Sequence, residues 1–275
     1  MAVDKIYLSD FVDVEKPITE ISSKRLVVAS EKNRLTDILN LIFSEKVRRI
    51  PIIDNEKNLR GIVTTTDILN LLGGGEKYEI FKKYRESMEI RAEDFMNKHV
   101  KVIHFKTNIK KALEAFKRER SGFYPLLENK KIISVVTEWD FVKLIRRPTG
   151  IKVYEAMVER PVFVQRNYNI FEVAKMMCRG GFRRLPVVEG NILLGIVTPI
   201  DILSYLRSNP NKKLVENRTR IENIMERNVV TIKPDVDLFK AISIMKTQKI
   251  GGLPVVDEDE LIGIVTERDV VDALI

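Results

Sequence analysis

Leu253-Pro254-Val255-Val256-Asp257-Glu258-Asp259-Glu260-Leu261-Ile262-Gly263-Ile264-Val265-Thr266-Glu267-Arg268-Asp269 decides the fold, because strings of the same form stand at three other places in the chain. The apolar strand around Pro254 returns as Arg184-Leu185-Pro186-Val187-Val188 and as Arg49-Ile50-Pro51-Ile52-Ile53, and more loosely as Phe123-Tyr124-Pro125-Leu126-Leu127. After each proline, at nearly constant distance, comes a Thr-x-x-Asp: Thr64 to Asp67, Thr137 to Asp140, Thr198 to Asp201, and Thr266 to Asp269. Four such marks in register define a repeat of roughly 55 to 60 residues plus a linker, and a repeat is one supersecondary unit that buries its apolar face against a neighbour.

Within the last copy the hydrophobic period switches in a fixed order. Val229-Val230-Thr231-Ile232 reads as a strand, and Asp237 then precedes Leu238, Ala241, Ile242 and Met245 on one helix face. Leu253 to Val256 and Leu261 to Val265 read as strands joined by the acidic turn Asp257 to Glu260, and Asp269 to Leu274 closes as a helix. The fold class is therefore α+β, with four βαββα units. A unit this small covers its sheet only partly, so pairing is expected, with Ile18 to Ile145 as one pair and Lys152 to Ile275 as the other. The boundaries read as an N-terminal segment 1–17, repeat 1 over 18–75, a helical linker 76–93, repeat 2 over 94–147, repeat 3 over 148–207 and repeat 4 over 208–275. Gly73-Gly74-Gly75 ends the last helix of the first copy, the charged stretch Glu76 to Glu93 reads as helical, and Pro148-Thr149-Gly150 separates the pairs.

Composition narrows the function. The 275 residues are 44% hydrophobic and 31% charged, ordinary for a globular chain. The longest apolar runs, such as Leu193 to Val197, fall far short of the roughly 20 residues of a membrane helix. Met1-Ala2-Val3-Asp4-Lys5 lacks a signal-peptide profile, so a cytoplasmic location is expected. One cysteine, Cys178, excludes an internal disulfide and sits in an apolar helical pattern that reads as a buried, inert thiol. The histidines, His99 and His104, are too few for the usual metal sites, so no metal is expected. Neither a phosphate-binding Gly-x-x-x-x-Gly-Lys-Thr loop nor a Gly-x-Ser-x-Gly elbow occurs, so no catalysis and no catalytic cofactor are expected. The net charge of +8 leaves nucleic acid open as a weaker reading, but pairs such as Lys110-Lys111 and Lys117-Arg118 are dispersed along helix faces.

Gly61 to Asp67, Gly195 to Asp201 and Gly263 to Asp269 share Gly-Ile-Val-Thr-x-x-Asp, and Met96, Met157 and Met225 stand before the first strand of three copies. On these motifs the chain resembles tandem CBS-domain proteins, and with four repeats it looks most like the gamma subunit of the AMP-activated protein kinase. The resemblance covers nearly the whole chain from residue 18. It implies two paired modules forming a disk, with AMP, ADP or ATP in clefts between partners, an energy-sensing role, and a protein partner that reads the bound state. Filling the same clefts with S-adenosylmethionine or another adenosyl ligand is the alternative. The second copy departs from the pattern at Ser134 and at Phe123-Tyr124, and its site is expected to be the weakest.

One ionised carboxylate accepts two adjacent ribose hydroxyls, which suits Asp67, Asp140, Asp201 and Asp269. Thr64, Thr66, Thr137, Thr198 and Thr266 lie where a strand ends and a helix begins, a place that favours phosphate. Thr-x-x-acid is equally a helix capping box, and a threonine can serve both purposes. Arg48-Arg49 and Arg183-Arg184 precede two of the prolines, where the resemblance implies phosphate contacts, while Gly122 and Gly251-Gly252 fill those positions in the other copies and make the two clefts of a pair unequal. Arg268 is a further phosphate candidate or an exposed side chain. The resemblance places adenine near Val27, Val102, Val162 or Val230, beside Gly122, Phe123, Gly251 and Gly252 in their copies, although such valines would also fit a core.

Overall fold

A computed structural model describes residues 7–273. Met1 to Lys5, together with Leu274 and Ile275 at the ends of the expected helix and of repeat 4, lie outside the described residues. The first copy is built of β1 (Ala29–Ser30), α1 (Leu35–Glu45), β2 (Arg49–Ile53), β3 (Leu59–Thr64) and α2 (Thr65–Leu69). A short α3 (Tyr78–Lys83) follows, and α4 (Ala92–Phe95) leads into the second copy: β4 (Ile103–His104), α5 (Ile109–Glu119), β5 (Phe123–Glu128), β6 (Lys131–Thr137) and α6 (Glu138–Val142). The third copy opens with α7 (Val153–Ala156) and β7 (Val158–Glu159), followed by β8 (Val164–Gln165), α8 (Ile170–Gly180), β9 (Leu185–Glu189), β10 (Ile192–Val197) and α9 (Pro199–Ser208). The fourth copy comprises α10 (Leu238–Gln248), β11 (Gly252–Asp257), β12 (Glu260–Thr266) and α11 (Glu267–Ala273).

Local chemistry fixes these boundaries. Asn108, Asn169 and Asp237 cap the long helices by accepting from Lys111 N, Glu172 N and Phe239 N at 2.8–2.9 Å. The same helices, with α1, end on left-handed residues: Lys46, Arg120, Gly181 and Lys249. Three of these are basic, and positive charge at a helix C-terminus offsets part of the backbone cost. The hairpins of the second and fourth copies turn on pairs with positive φ, Asn129-Lys130 and Glu258-Asp259, as a two-residue loop matched to strand twist requires.

Two elements are shorter than their sequence pattern. Val229 to Thr231 form no ladder, and pairing begins with the single parallel bridge of Ile232 to Val255. Before α4 begins at Ala92 the linker is helical only over Tyr78–Lys83, because Arg85 and Glu86 both adopt positive φ and break the helical path.

The four copies fall into two compact units, each interleaving separate pieces of chain. One unit holds residues 7–26, 101–161 and 230–273, and so joins the bodies of the second and fourth copies. The other holds 27–100 and 162–229, the bodies of the first and third. Apolar faces of the long helices and central strands make each core: Phe116, Tyr124, Phe141, Leu238 and Leu253 in the first unit, and Ile38, Ile50, Phe95, Val173 and Leu185 in the second.

Consecutive copies are tied by exchanged leading segments. Residues 92–97 open the second repeat yet pair with the first, where Ile62 N donates to Asn97 O and Asn97 N to Ile62 O, both at 2.9 Å. Likewise Ile196 and Glu226 exchange bonds of 2.9–3.0 Å, Gly263 pairs with Glu159, and Ser23 N donates to Val135 O at 2.9 Å. The glycine of Gly-Ile-Val-Thr makes this exchange possible. A Cβ at Gly61, Gly195 or Gly263 would lie 2.4–2.5 Å from the sulfur of Met96, Met225 or Met157, far inside van der Waals contact. The motif glycine and the motif methionine are thus two halves of one joint.

Candidate functional site

In every copy the strand register gathers one set of residues at one end of the sheet. Arg49, which opens β2, lies opposite Thr64, which closes β3, and Phe123 with Thr137 and Gly252 with Thr266 repeat the relation. In the third copy Leu185 pairs with Val197, which sets Arg184 level with Thr198. The parallel first strand enters at the same end: Ala29 pairs with Ile52, Val164 with Val187 and Ile232 with Val255, so Val27, Val162 and Val230 all stand two residues before the paired position. In the second copy Ile103 pairs with Leu126, and the residue at that level is Lys101, one place before Val102. Lys101 is engaged with Glu119, at 3.4 Å from its carboxylate.

The four valines are not core residues. Val102, Val162 and Val230 are 44%, 44% and 37% exposed, and Val27 is half-buried. Position explains this: Val162 and Val230 precede the first paired residues of their strands, Val164 and Ile232, so no neighbouring strand covers them, and an apolar surface is left beside the strand ends.

Each Thr-x-x-Asp forms a closed local structure. The Asp Oδ2 accepts from the backbone N of its threonine at 2.7–3.0 Å and from the threonine Oγ1 at 2.6–2.9 Å in all four copies. The capping box therefore exists, and the threonine hydroxyl proton is spent inside it rather than left as a donor for phosphate. What differs between copies is Oδ1. Lys77 Nζ donates to Oδ1 of Asp67 at 2.7 Å and to Phe95 O at 2.8 Å. Lys143 Nζ donates to Oδ1 of Asp140 at 2.7 Å and to Ile21 O at 2.9 Å, and Asp140 is only 4% exposed. Among the described residues no donor reaches Oδ1 of Asp201 or Asp269. Burial raises the pKa of both above the usual aspartate value, against the lowering by the threonine bonds. Glu226 adds to the rise at Asp201 and Arg48 offsets part of it, while Asp272 and Glu138 add to the rise at Asp269. These two carboxylates are half-buried, held by one oxygen and short of donors on the other.

The remaining predicted residues divide. Arg48 and Arg183 are exposed, and Arg49 and Arg184 are half-buried at the strand ends. Gly122, Gly251 and Gly252 are buried, and Glu267 N donates to Gly251 O at 3.3 Å as Thr65 N does to Arg48 O at 3.1 Å. Phe123 is half-buried on β5. Thr66 is half-buried, and its backbone carbonyl accepts from Cys178 Sγ at 3.8 Å. Arg268 is not solvent-facing: it forms an ion pair with Glu138, which follows Thr137 at the strand end of the second copy, the two side chains being 15% and 4% exposed. Cys178 is half-buried, and burial, with the charge of Asp67, pushes its thiol up to about 12, so the thiolate is scarce at neutral pH. Sequence reasoning missed Lys77, Lys143 and Glu138. Lys143, three residues after Asp140, was within reach of a helical-spacing argument, whereas Lys77 comes from the linker.

No helix among the described residues is long and apolar enough to cross a membrane. The family model described as the CBS domain matches residues 18–74, 92–147, 153–208 and 221–275. An uncharacterised protein of Methanocaldococcus jannaschii is 33% identical over 266 residues, covering 90% of this chain and 95% of its own. An uncharacterised protein from a ribosomal RNA operon of Thermofilum pendens is 28% identical over 263 residues, covering 90% and 88%. A crystal structure from M. jannaschii, of a protein described there as a candidate archaeal homolog of the γ subunit of AMPK, superposes with a TM-score of 0.87 at 29% identity, covering 94% of this chain and all of that one. Four matched repeats spanning most of the sequence establish that this chain belongs to the CBS-domain family.

Proposed function

We propose that the chain is a non-catalytic regulatory protein that binds the adenine nucleotides AMP, ADP and ATP and reports energy state to a protein partner. The observation that carries this reading is the open Oδ1 of Asp201 and of Asp269. A half-buried carboxylate oxygen without a donor has lost water without full compensation, and two ribose hydroxyls supply what it lacks. The exposed Val162 and Val230, at the same ends of their sheets, offer a purine an apolar surface. Arg183 and Arg184 stand level with Thr198 and suit a phosphate. Asp67 and Asp140 are closed by lysines, so the third and fourth copies are the ribose sites. The resemblance to a protein described as a candidate AMPK-γ homolog supports nucleotides over other adenosyl ligands.

Isothermal titration of the purified chain with AMP, ADP, ATP, adenosine and S-adenosylmethionine tests the proposal. The expected outcome is saturable nucleotide binding weakened by Asp201→Ala and by Asp269→Ala, with Arg184→Ala reducing ATP and AMP affinity far more than adenosine affinity. No nucleotide binding at millimolar concentration overturns it, and tight binding of S-adenosylmethionine alone replaces it.

A further inference from the structure

The grouping of copies into units sorts the strand-end arginines. Three and two places before each motif proline stand Arg48-Arg49 in the first copy and Arg183-Arg184 in the third, but Gly122-Phe123 in the second and Gly251-Gly252 in the fourth. In chain order, each neighbouring pair of copies would own one arginine pair. The compact units instead join the first copy to the third and the second to the fourth, so one unit carries all four arginines at these places and the other carries none. The inequality falls between the units and not inside each.

The helices bring these strand ends toward the open carboxylates. Thr65 N, at the start of α2, donates to Arg48 O at 3.1 Å, and Glu267 N, at the start of α11, donates to Gly251 O at 3.3 Å. The helices pack in pairs within their units, α2 on α9 and α6 on α11. Arg48 is thereby carried toward Asp201, in the first turn of α9, where burial raises the carboxyl pKa and the Arg48 charge offsets part of the rise. In the other unit the place of Arg48 falls to Gly122, which has no side chain to offer. What α6 brings toward Asp269 is its first residue, Glu138, which with Asp272 adds to the rise that burial causes there. The basic side chains at this second helix pair are engaged, Arg268 with Glu138 and Lys143 with Asp140. The strand ends and first helical turns of one unit thus set four arginines against Asp67 and Asp201. Those of the other set Arg268 against Glu138, Asp140, Glu267 and Asp269.

We propose that the two ribose sites select ligands by charge in opposite senses: the Asp201 site takes the phosphate-bearing nucleotide, with Arg48 as a phosphate contact, and the Asp269 site favours an adenosyl compound whose 5′ substituent is neutral or positively charged. The inference rests on the ribose reading of the two aspartates. Nucleotide enters the Asp269 site only weakly, because its phosphate meets carboxylates whose cations are already taken. A positively charged 5′ group meets the opposite field there. Each unit thereby reads a different ligand built on the same base and sugar.

The probes are AMP, adenosine and 5′-amino-5′-deoxyadenosine, which place negative, zero and positive charge at the 5′ position near neutral pH. Each is titrated calorimetrically into the full chain and into its Asp201→Ala and Asp269→Ala variants. With Asp269→Ala, which leaves the Asp201 site, AMP should bind at least about tenfold more tightly than adenosine, and added salt should narrow the gap. With Asp201→Ala, which leaves the Asp269 site, the order should reverse, the 5′-amine binding at least about tenfold more tightly than AMP. Thermal melting verifies that each variant is folded. If either is not, Arg48→Ala, at an exposed side chain, carries the test: it should weaken AMP binding at least about tenfold and adenosine binding far less. The same charge order at both sites overturns the inference and leaves the nucleotide reading standing. An Arg48→Ala loss that is absent, or equal for AMP and adenosine, does the same. If AMP, ADP and ATP all fail to bind the unaltered chain, the nucleotide reading itself fails and the sorting by charge falls with it.

Discussion

Ser22 Oγ and Ser134 Oγ stand 2.9 Å apart, at the joint where the other three copies set a methionine against a glycine. Both departures from the repeat pattern therefore belong to one contact: the leading segment of copy one lacks the methionine that the sheet of copy two has no room for. Ser22→Met alone overfills the joint and should cost about 1–3 kcal/mol. Ser134→Gly alone leaves a gap and leaves the Ser22 hydroxyl only its long bond to Thr19 O at 3.4 Å. Combined, the two changes rebuild the joint of the other copies, so denaturant titrations should give a favourable coupling of about 0.5–3 kcal/mol. Strict additivity would refute the reciprocal account.

Gly195→Ala tests the same joint from the other side. Its Cβ would meet Met225 Sδ at 2.5 Å and the carbonyl oxygen of Glu226 at 2.9 Å, and the second of these is backbone. A loss of about 1–3 kcal/mol is expected in chemical denaturation, and Met225→Ala should not rescue it fully because the carbonyl remains.

Neutralising the four aspartates should sort them into two classes. Asp67→Asn strands Lys77, whose amine is otherwise bound to Asp67 and Phe95 O, and should destabilise by about 1–3 kcal/mol. Asp201→Asn and Asp269→Asn remove half-buried charges that have no ion-pair partner, and should cost less at neutral pH by melting temperature. Equal losses at all four positions would contradict the division.

The raised pKa values of Asp201 and Asp269 give a pH signature. Because the folded value exceeds the unfolded one, the native state holds more protons between the two, and stability contributed at these sites falls as pH rises through that interval. Binding runs the other way, since a protonated carboxyl accepts poorly from ribose hydroxyls. Adenosine, which carries no titrating phosphate, should bind more weakly as pH falls toward the raised pKa, and Asp201→Asn should flatten that dependence. A profile unaffected by the substitution would remove Asp201 from the ribose contact.

Arg268→Met should leave Glu138 buried without its cation and cost about 3–5 kcal/mol. The double change Arg268→Met with Glu138→Met should recover most of that loss in thermal melts. If Arg268→Met instead weakened ATP binding with stability unchanged, the residue would belong to a phosphate site after all.

The repeat, the element order and the helix caps were legible because they are local: Asn169, Asp237 and the four Thr-x-x-Asp boxes act within a few residues of themselves. The exposure of Val162 and Val230 was not, since Val229 to Ile232 reads as one strand while pairing begins only at Ile232, and likewise at Val164, which leaves the two valines outside the ladder. Nor was the division of the aspartates, which turns on Lys77 arriving from a linker whose pattern reads only as charged. The grouping of alternate copies into compact units left no mark that a pairwise reading of consecutive repeats could find, because the side chains involved are apolar at the same positions in every copy.

The interleaving of the units sets an order for synthesis on the ribosome. The unit of copies one and three has all its described pieces once residue 229 has emerged, whereas Leu8 and Ile18 belong to a core whose other half begins at residue 230. Leu8 and Ile18 must wait, solvent-exposed or held by a chaperone, until residues beyond 230 are made before all their partners exist. The nascent chain thus completes the core of copies one and three before that of copies two and four.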